Sequence, residues 1–213
     1  MGYPDGVQPG KLVEVKVMSI YNNHTAVLPT RMRWMTPDTA QALASLAEDL
    51  QGIGGMIYLS DAYRSEFEQA KAHYDYLTGV GRYGDRSVLV MQYPDLKDYQ
   101  GVPKKAYSPP PGNSVHEAGR AVDFDADPRW LGIDQHTFME LAYANGWVNI
   151  VGGIGGVGDP LRVDTPEEWH IEHRGPFQAV YAEVLRRTGD RGNAYKTMVH
   201  EMLKDLRTPN PES

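Results

Sequence analysis

Two imidazoles and a carboxylate in this chain form a set that could hold a metal ion. His116 and Asp123 lie within Ser114-Val115-His116-Glu117-Ala118-Gly119-Arg120-Ala121-Val122-Asp123-Phe124-Asp125, and His170 closes Glu167-Glu168-Trp169-His170. Mixed nitrogen and oxygen donors are what a catalytic Zn²⁺ takes when its fourth position is left to water. Residues 121–125 alternate in strand fashion, so Asp123 points to one face while Val122 and Phe124 point to the other. Gly119, with the small neighbours Ala118 and Ala121, lets a turn fold back until His116 and Asp123 converge on one ion. The third ligand must come from a distant segment. His170 fits best, because Glu167 just before it could act as general base toward a water at the ion.

The elements that must position these groups can be read from pattern. Leu12 to Ile20 alternates around Val13, Val15 and Val17 and reads as a strand. Residues 21–33 read as irregular. Thr36-Pro37-Asp38 signals a helix start, and the helix should run to about Leu50 on a face of Leu43, Leu46 and Leu50. Met56 to Leu59 reads as a short strand delivering the chain to Tyr63-Arg64-Ser65. Ser65 with Glu68 makes a capping box for a helix to about Leu77, which leaves Arg64 at a strand–helix junction from which it can reach a neighbouring site. Residues 79–112, with four tyrosines among them, read as a long irregular connection: a substrate-facing flap, or an insertion packed by its own aromatics. Asp134 to Asn145 reads as a helix and Trp147 to Val151 as a strand. Gly153, Gly155 and Gly158 match a dinucleotide pattern only literally, because no helix follows to receive a pyrophosphate; a loop at the rim of the site is the better reading. Glu167 to His173 should be the strand of the last ligand, followed by amphipathic helices over 177–187 and 193–206.

Composition bounds the rest. At 213 residues the chain should form a single domain, with the motif-bearing core at about 37–175, an N-terminal strand and arm over 1–36 and C-terminal helices over 176–213. There is no cysteine, so disulfides, thiolate metal sites and cysteine catalysis are excluded. A net charge of −7 without a basic cluster argues against nucleic acid as a partner. No apolar run is long enough to cross a bilayer, and the N-terminus lacks signal-peptide character. The chain as given is therefore expected not to be addressed for secretion.

The spacing Ser114, His116, Gly119, Ala121, Asp123, then Glu167, Trp169, His170, together with Tyr63-Arg64-Ser65, resembles the zinc peptidases of the D-alanyl-D-alanine peptidase family, within the LAS group. Every specified position of Ser-x-His-x-x-Gly-x-Ala-x-Asp and Glu-x-Trp-His is met, and Pro110-Pro111-Gly112 resembles the family's approach to the first ligand. The likeness spans about residues 37 to 175. It implies an α+β fold in which a small antiparallel sheet carries the ligands and helices flank it. It further implies Zn²⁺ on His116, Asp123 and His170, Glu167 as the base, Arg64 stabilising the oxyanion, and Ser114 as a partner of the substrate's terminus. The implied substrate is a peptidoglycan stem peptide or another D-Ala-D-Ala-containing peptide.

Each assignment has a plainer rival. Glu168 competes with Glu167, His173 competes with His170, and Arg64 could simply pair with Asp61 or Glu68. Asp125 could orient a ligand, but reads better as a solvated carboxylate, and Trp169 reads as core packing. The expected activity is zinc-dependent D,D-carboxypeptidase. The alternatives are an L-alanyl-D-glutamate-type endopeptidase, as in a phage or virion lysin, a cytoplasmic dipeptidase, and a zinc-stabilised binding module that does not cleave.

Overall fold

The computed structural model describes residues 3–20, 27–149 and 168–209. Its frame is a six-stranded sheet in the order β2-β1-β3-β4-β6-β5. The strands are β1 (Val13–Ile20), β2 (Val27–Met35), β3 (Leu59–Asp61), β4 (Ala121–Phe124), β5 (Trp147–Val148) and β6 (His170–His173). Every neighbouring pair is antiparallel except β1 with β3. The helices are α1 (Pro37–Gly52), α2 (Glu66–Gly79), α3 (Tyr83–Gln92), α4 (Pro128–Leu131), α5 (Gln135–Ala144), α6 (Gln178–Thr188) and α7 (Arg191–Arg207).

One face of the sheet is closed by α1 and α5. Leu43, Leu46 and Leu50 of α1 and Phe138, Met139 and Ala142 of α5 pack against Leu59, Val122, Phe124, Trp147 and Ile171. Their side chains are almost wholly buried, and at about 1.5–3 kcal/mol for each large apolar side chain this layer holds the sheet flat against its helices. On the other side, α6 and α7 cover Val115, Ala118 and Ala121 with Tyr181, Val184, Met198, Val199 and Met202. A third cluster joins α2, α3 and the turn at Pro94–Leu96 through Ala70, Tyr74, Leu77, Leu89 and Leu96.

Two stretches expected to be irregular are ordered. Residues 27–35 form β2, whose Pro29 hides it from a strand reading; β2 is an edge strand, where proline is tolerated. Residues 83–92 form α3, with only Leu89 fully buried, so its apolar pattern was too thin to show. The capping box at Ser65 and Glu68 is formed as the sequence predicts. Thr36 precedes α1, but its hydroxyl donates to Asp38 rather than capping the helix. The glycine run at 152–158 lies outside the described residues.

Candidate metal centre

The ligand pair on the sheet follows from register. In antiparallel strands, directly opposed residues share a face, and Asp123 of β4 stands opposite His170 of β6. Val122 and Ile171, one position along, are thereby directed into the apolar layer. The same period of two decides between the histidines of β6. His170 and Glu172 face the site, whereas His173 faces away, contacting Thr39 at 3.2 Å and lying 3.9 Å from Asp38.

His116 arrives from a turn rather than a strand. Ala118 and Gly119 donate to the carbonyls of Val115 and His116, and Gly119 adopts φ +65°, a conformation that favours glycine. A Cβ on Gly119 would sit 2.6 Å from Leu12 Cδ2, so the residue just ahead of β1 presses on the turn. Glu117, which the sequence reading passed over, is buried here. Its carboxylate accepts from the N–H groups of Gly112 and Ser114 and ties the proline-rich approach to the turn. Burial pushes it up to about 7 in spite of those two donors.

The three donor atoms form a compact triangle. His116 Nε2 lies 3.1 Å from Asp123 Oδ1 and 3.2 Å from His170 Nδ1, and His170 Nδ1 lies 2.8 Å from Asp123 Oδ1. Ligands at ~2.0–2.1 Å around a tetrahedral ion stand roughly 3.3 Å apart, so the triangle fits one face of such a shell. The groups could hold a metal ion together. The remaining ring nitrogens are held so as to aim these donors. His116 Nδ1 donates to the Ala62 carbonyl at 2.6 Å, which leaves Nε2 as the donor atom for an ion. His170 Nε2 lies 3.4 Å from Glu172 Oε1.

Electrostatics concentrate on the same atoms. Burial alone would raise Asp123, but His116, His170 and Arg64 hold it well below the usual carboxylate range. Burial would likewise depress His170, yet Asp123 and Glu172 lift it to about 10. Burial acts to raise Glu172 too, and His170, Arg174 and Tyr195 outweigh it and keep the carboxylate low. Glu172 is fully buried and accepts from Tyr195 Oη at 2.5 Å and Arg174 Nε at 3.3 Å. The sequence reading missed it. Its position two residues beyond His170 on one strand was the available signal.

Arg64 does pair with Asp61, at 2.5 Å, and it also donates to Asp123 Oδ2 at 2.8 Å. Glu68 is occupied by Ser65. Ser114 is buried, and its Oγ accepts from the His116 N–H at 3.3 Å. Asp125 is not a solvated carboxylate: it is buried and accepts from the Asp127 N–H ahead of α4. Trp169 is not core packing either, being 38% exposed. Glu168 is exposed, and Glu167 lies outside the described residues.

A cavity of about 650 Å³ opens on the triangle, with Arg64, Ser114, Trp169, Tyr107, Lys104 and Lys196 among its lining residues. Of the four tyrosines between 79 and 112, Tyr107 alone lines it; Tyr93 bonds Glu66 and Tyr99 bonds Asp75. The segment bearing Tyr107 is pinned to α2, where Gln69 donates to Ser108 and Pro109 and His73 contacts the Ser108 carbonyl.

Sheet, helices and triangle define an α+β protein with a His–Asp–His centre at the floor of a cleft. The LdcB LD-carboxypeptidase has this fold: 18% identity, 95% of this chain and 81% of that one covered, TM-score 0.51. Also similar are a mutant of the vancomycin resistance D,D-pentapeptidase VanY in complex with Zn(II), at 17% identity, 89% and 93% coverage and TM-score 0.46, and DacB from Streptococcus pneumoniae D39, at 22% identity, 73% and 77% coverage and TM-score 0.43. No protein-family model matches the sequence, and no curated protein matches it. Among the described residues, no helix is long and apolar enough to cross a membrane.

Proposed function

We propose that this protein is a zinc-dependent peptidase that acts on cell-wall peptides containing D-amino acids and releases a C-terminal D-alanine as a D,D-carboxypeptidase. The observation that carries the proposal is the triangle of His116 Nε2, Asp123 Oδ1 and His170 Nδ1 at the floor of a cleft large enough for a short peptide. The fold shared with LdcB, an LD-carboxypeptidase whose structure bears on peptidoglycan recognition, supports the substrate class.

In this reading His116, Asp123 and His170 hold the zinc. When bound, zinc polarises the scissile carbonyl and lowers the pKa of water from about 15.7 toward about 7. Glu167 accepts the attacking water's proton and passes it to the leaving amine, a contribution of ~10²–10⁴ in rate. Arg64, permanently charged, stabilises the negative charge that develops on the carbonyl oxygen. Ser114 Oγ already accepts from His116, so its hydroxyl proton remains to meet the substrate's terminus.

The test is to incubate the zinc-loaded protein with synthetic pentapeptide and tetrapeptide stems and with whole peptidoglycan, and to identify new termini by mass spectrometry. Loss of one alanine from the pentapeptide, abolished by chelation and by Glu167→Ala, is the expected result. Cleavage inside the stem instead would make the protein an endopeptidase. Zinc binding at one equivalent with no cleavage of any substrate would make it a binding module.

A further inference from the structure

The ionisable groups that line the cleft divide into those already engaged and those still available. Asp123 accepts from Arg64 and lies against the donor atoms of His116 and His170; Glu172 accepts from Arg174 and Tyr195 and faces His170 Nε2; Arg64 bridges Asp61 and Asp123. What remains is cationic. Lys196, in the second turn of α7, is exposed and has no hydrogen-bond or ion-pair partner among the described residues. Lys104 is 56% exposed and, among the described residues, reaches only Asp75, at 4.0 Å, the outer limit of an ion pair. That carboxylate is already served by the Val102 N–H at 2.9 Å and Tyr99 Oη at 3.3 Å.

Both lysines stand on fixed bases. The Lys104 N–H donates to the Asp75 carbonyl, and its backbone lies so close to Gly79 that a Cβ there would meet Lys104 O at 2.0 Å. Lys196 follows Tyr195, which is bound to Glu172, and precedes the fully buried Met198 and Val199. A chain of net charge −7 has thus mounted two uncommitted cations on the wall of its one described metal-binding cleft.

We infer that Lys104 and Lys196 form a carboxylate-binding subsite, so that the preferred ligand is an anionic peptide. This rests on the peptidase reading of the same cleft and adds the charge its substrate must carry. The carboxylate could be the peptide's terminal one or a side-chain one such as that of glutamate, and the two sources can be separated by amidating each in turn.

The experiment compares kcat/KM for a stem peptide with both carboxylates free, for its C-terminal amide, and for the peptide amidated at glutamate, using zinc-loaded wild type, Lys104→Ala, Lys196→Ala and the double variant. Wild type should prefer the free acid over one of the two amides, which names the carboxylate bound. Each alanine should reduce that acid-to-amide ratio about fivefold, the upper range for an exposed charge pair, and the reduction should shrink at high salt. Lys196→Arg, which keeps the charge, should retain the ratio. A ratio that is the same in the double variant as in wild type overturns the inference. Equilibrium binding of the same peptides separates the two readings. Preferential binding of the free acid without cleavage would end the peptidase reading and leave the subsite standing, whereas cleavage with no acid preference would do the reverse.

Discussion

Replacing Glu172 by glutamine keeps the side chain's shape and removes its charge. Glu172 sits behind His170, fully buried, and is held there by Tyr195 and Arg174. Groups that orient a metal-ligating histidine commonly contribute 10- to 100-fold in metal affinity. The contact to His170 Nε2 is long, at 3.4 Å, so the expected loss of zinc affinity is near the lower end, about tenfold or ~1.4 kcal/mol. Folding should suffer separately. Arg174 is 3% exposed, and removing the charge it faces should cost about 2–3 kcal/mol, somewhat under the ~3–5 kcal/mol for losing one partner of a buried pair, because glutamine keeps an acceptor oxygen. Competition against a chromophoric chelator, on samples shown to be folded by near-ultraviolet circular dichroism, reads the first quantity; thermal melts of metal-free protein read the second. Tyr195→Phe should move zinc affinity in the same direction with a folding cost of only about 1–1.5 kcal/mol. If folded Glu172→Gln bound zinc within twofold of wild type, Glu172 would not be orienting His170.

Gly119→Ala should destabilise by about 2 kcal/mol, measured by urea denaturation, since it forces alanine to φ +65° and drives its Cβ toward Leu12. Arg64→Lys replaces a fork spanning Asp61 and Asp123 with a point charge; turnover of a cleaved peptide should fall ~10²-fold, while zinc affinity, read by the same chelator competition, falls no more than about tenfold. Asp38→Asn should cost about 2 kcal/mol, because Arg120, buried to 6% exposure, loses a two-pronged carboxylate that is itself partly exposed. Burial opposes it, but Arg120 holds the Asp38 pKa below 3.8, so this contribution is complete above that pH and is lost as pH falls through the folded-state value. The gap in melting temperature between wild type and Asp38→Asn should therefore be steady above about pH 4 and close below it.

What could be read from the sequence was whatever has a local signature. The alternation of Ala121 to Asp125, the capping box at Ser65 and the leucines of α1 announce themselves within a few residues, and the structure forms each of them. The fold class was legible because the two motifs resemble a known family over a long span. Strand β2 was not, because Pro29 argues against a strand until its edge position is known. Trp169 was misread because a tryptophan beside a ligand strand is apolar whether it faces a core or a cleft. Glu172, Tyr195, Lys104 and Lys196 escaped for a different reason. Nothing near Tyr195 along the chain points to Glu172; only the packing of α7 over the ligand face brings them together.

The bond between Tyr195 and Glu172 has a consequence for the order in which the molecule matures. A chain emerging from the ribosome exposes His116, Asp123 and His170 well before the hydroxyl that steadies Glu172 has left the exit tunnel. Until α7 docks, the imidazole of His170 leans on a carboxylate lacking one of its anchors, and an ion placed there would be held less firmly. Tight capture of such an ion would in this way be deferred to a late stage of biogenesis, when the helix bearing Lys196 is also in place.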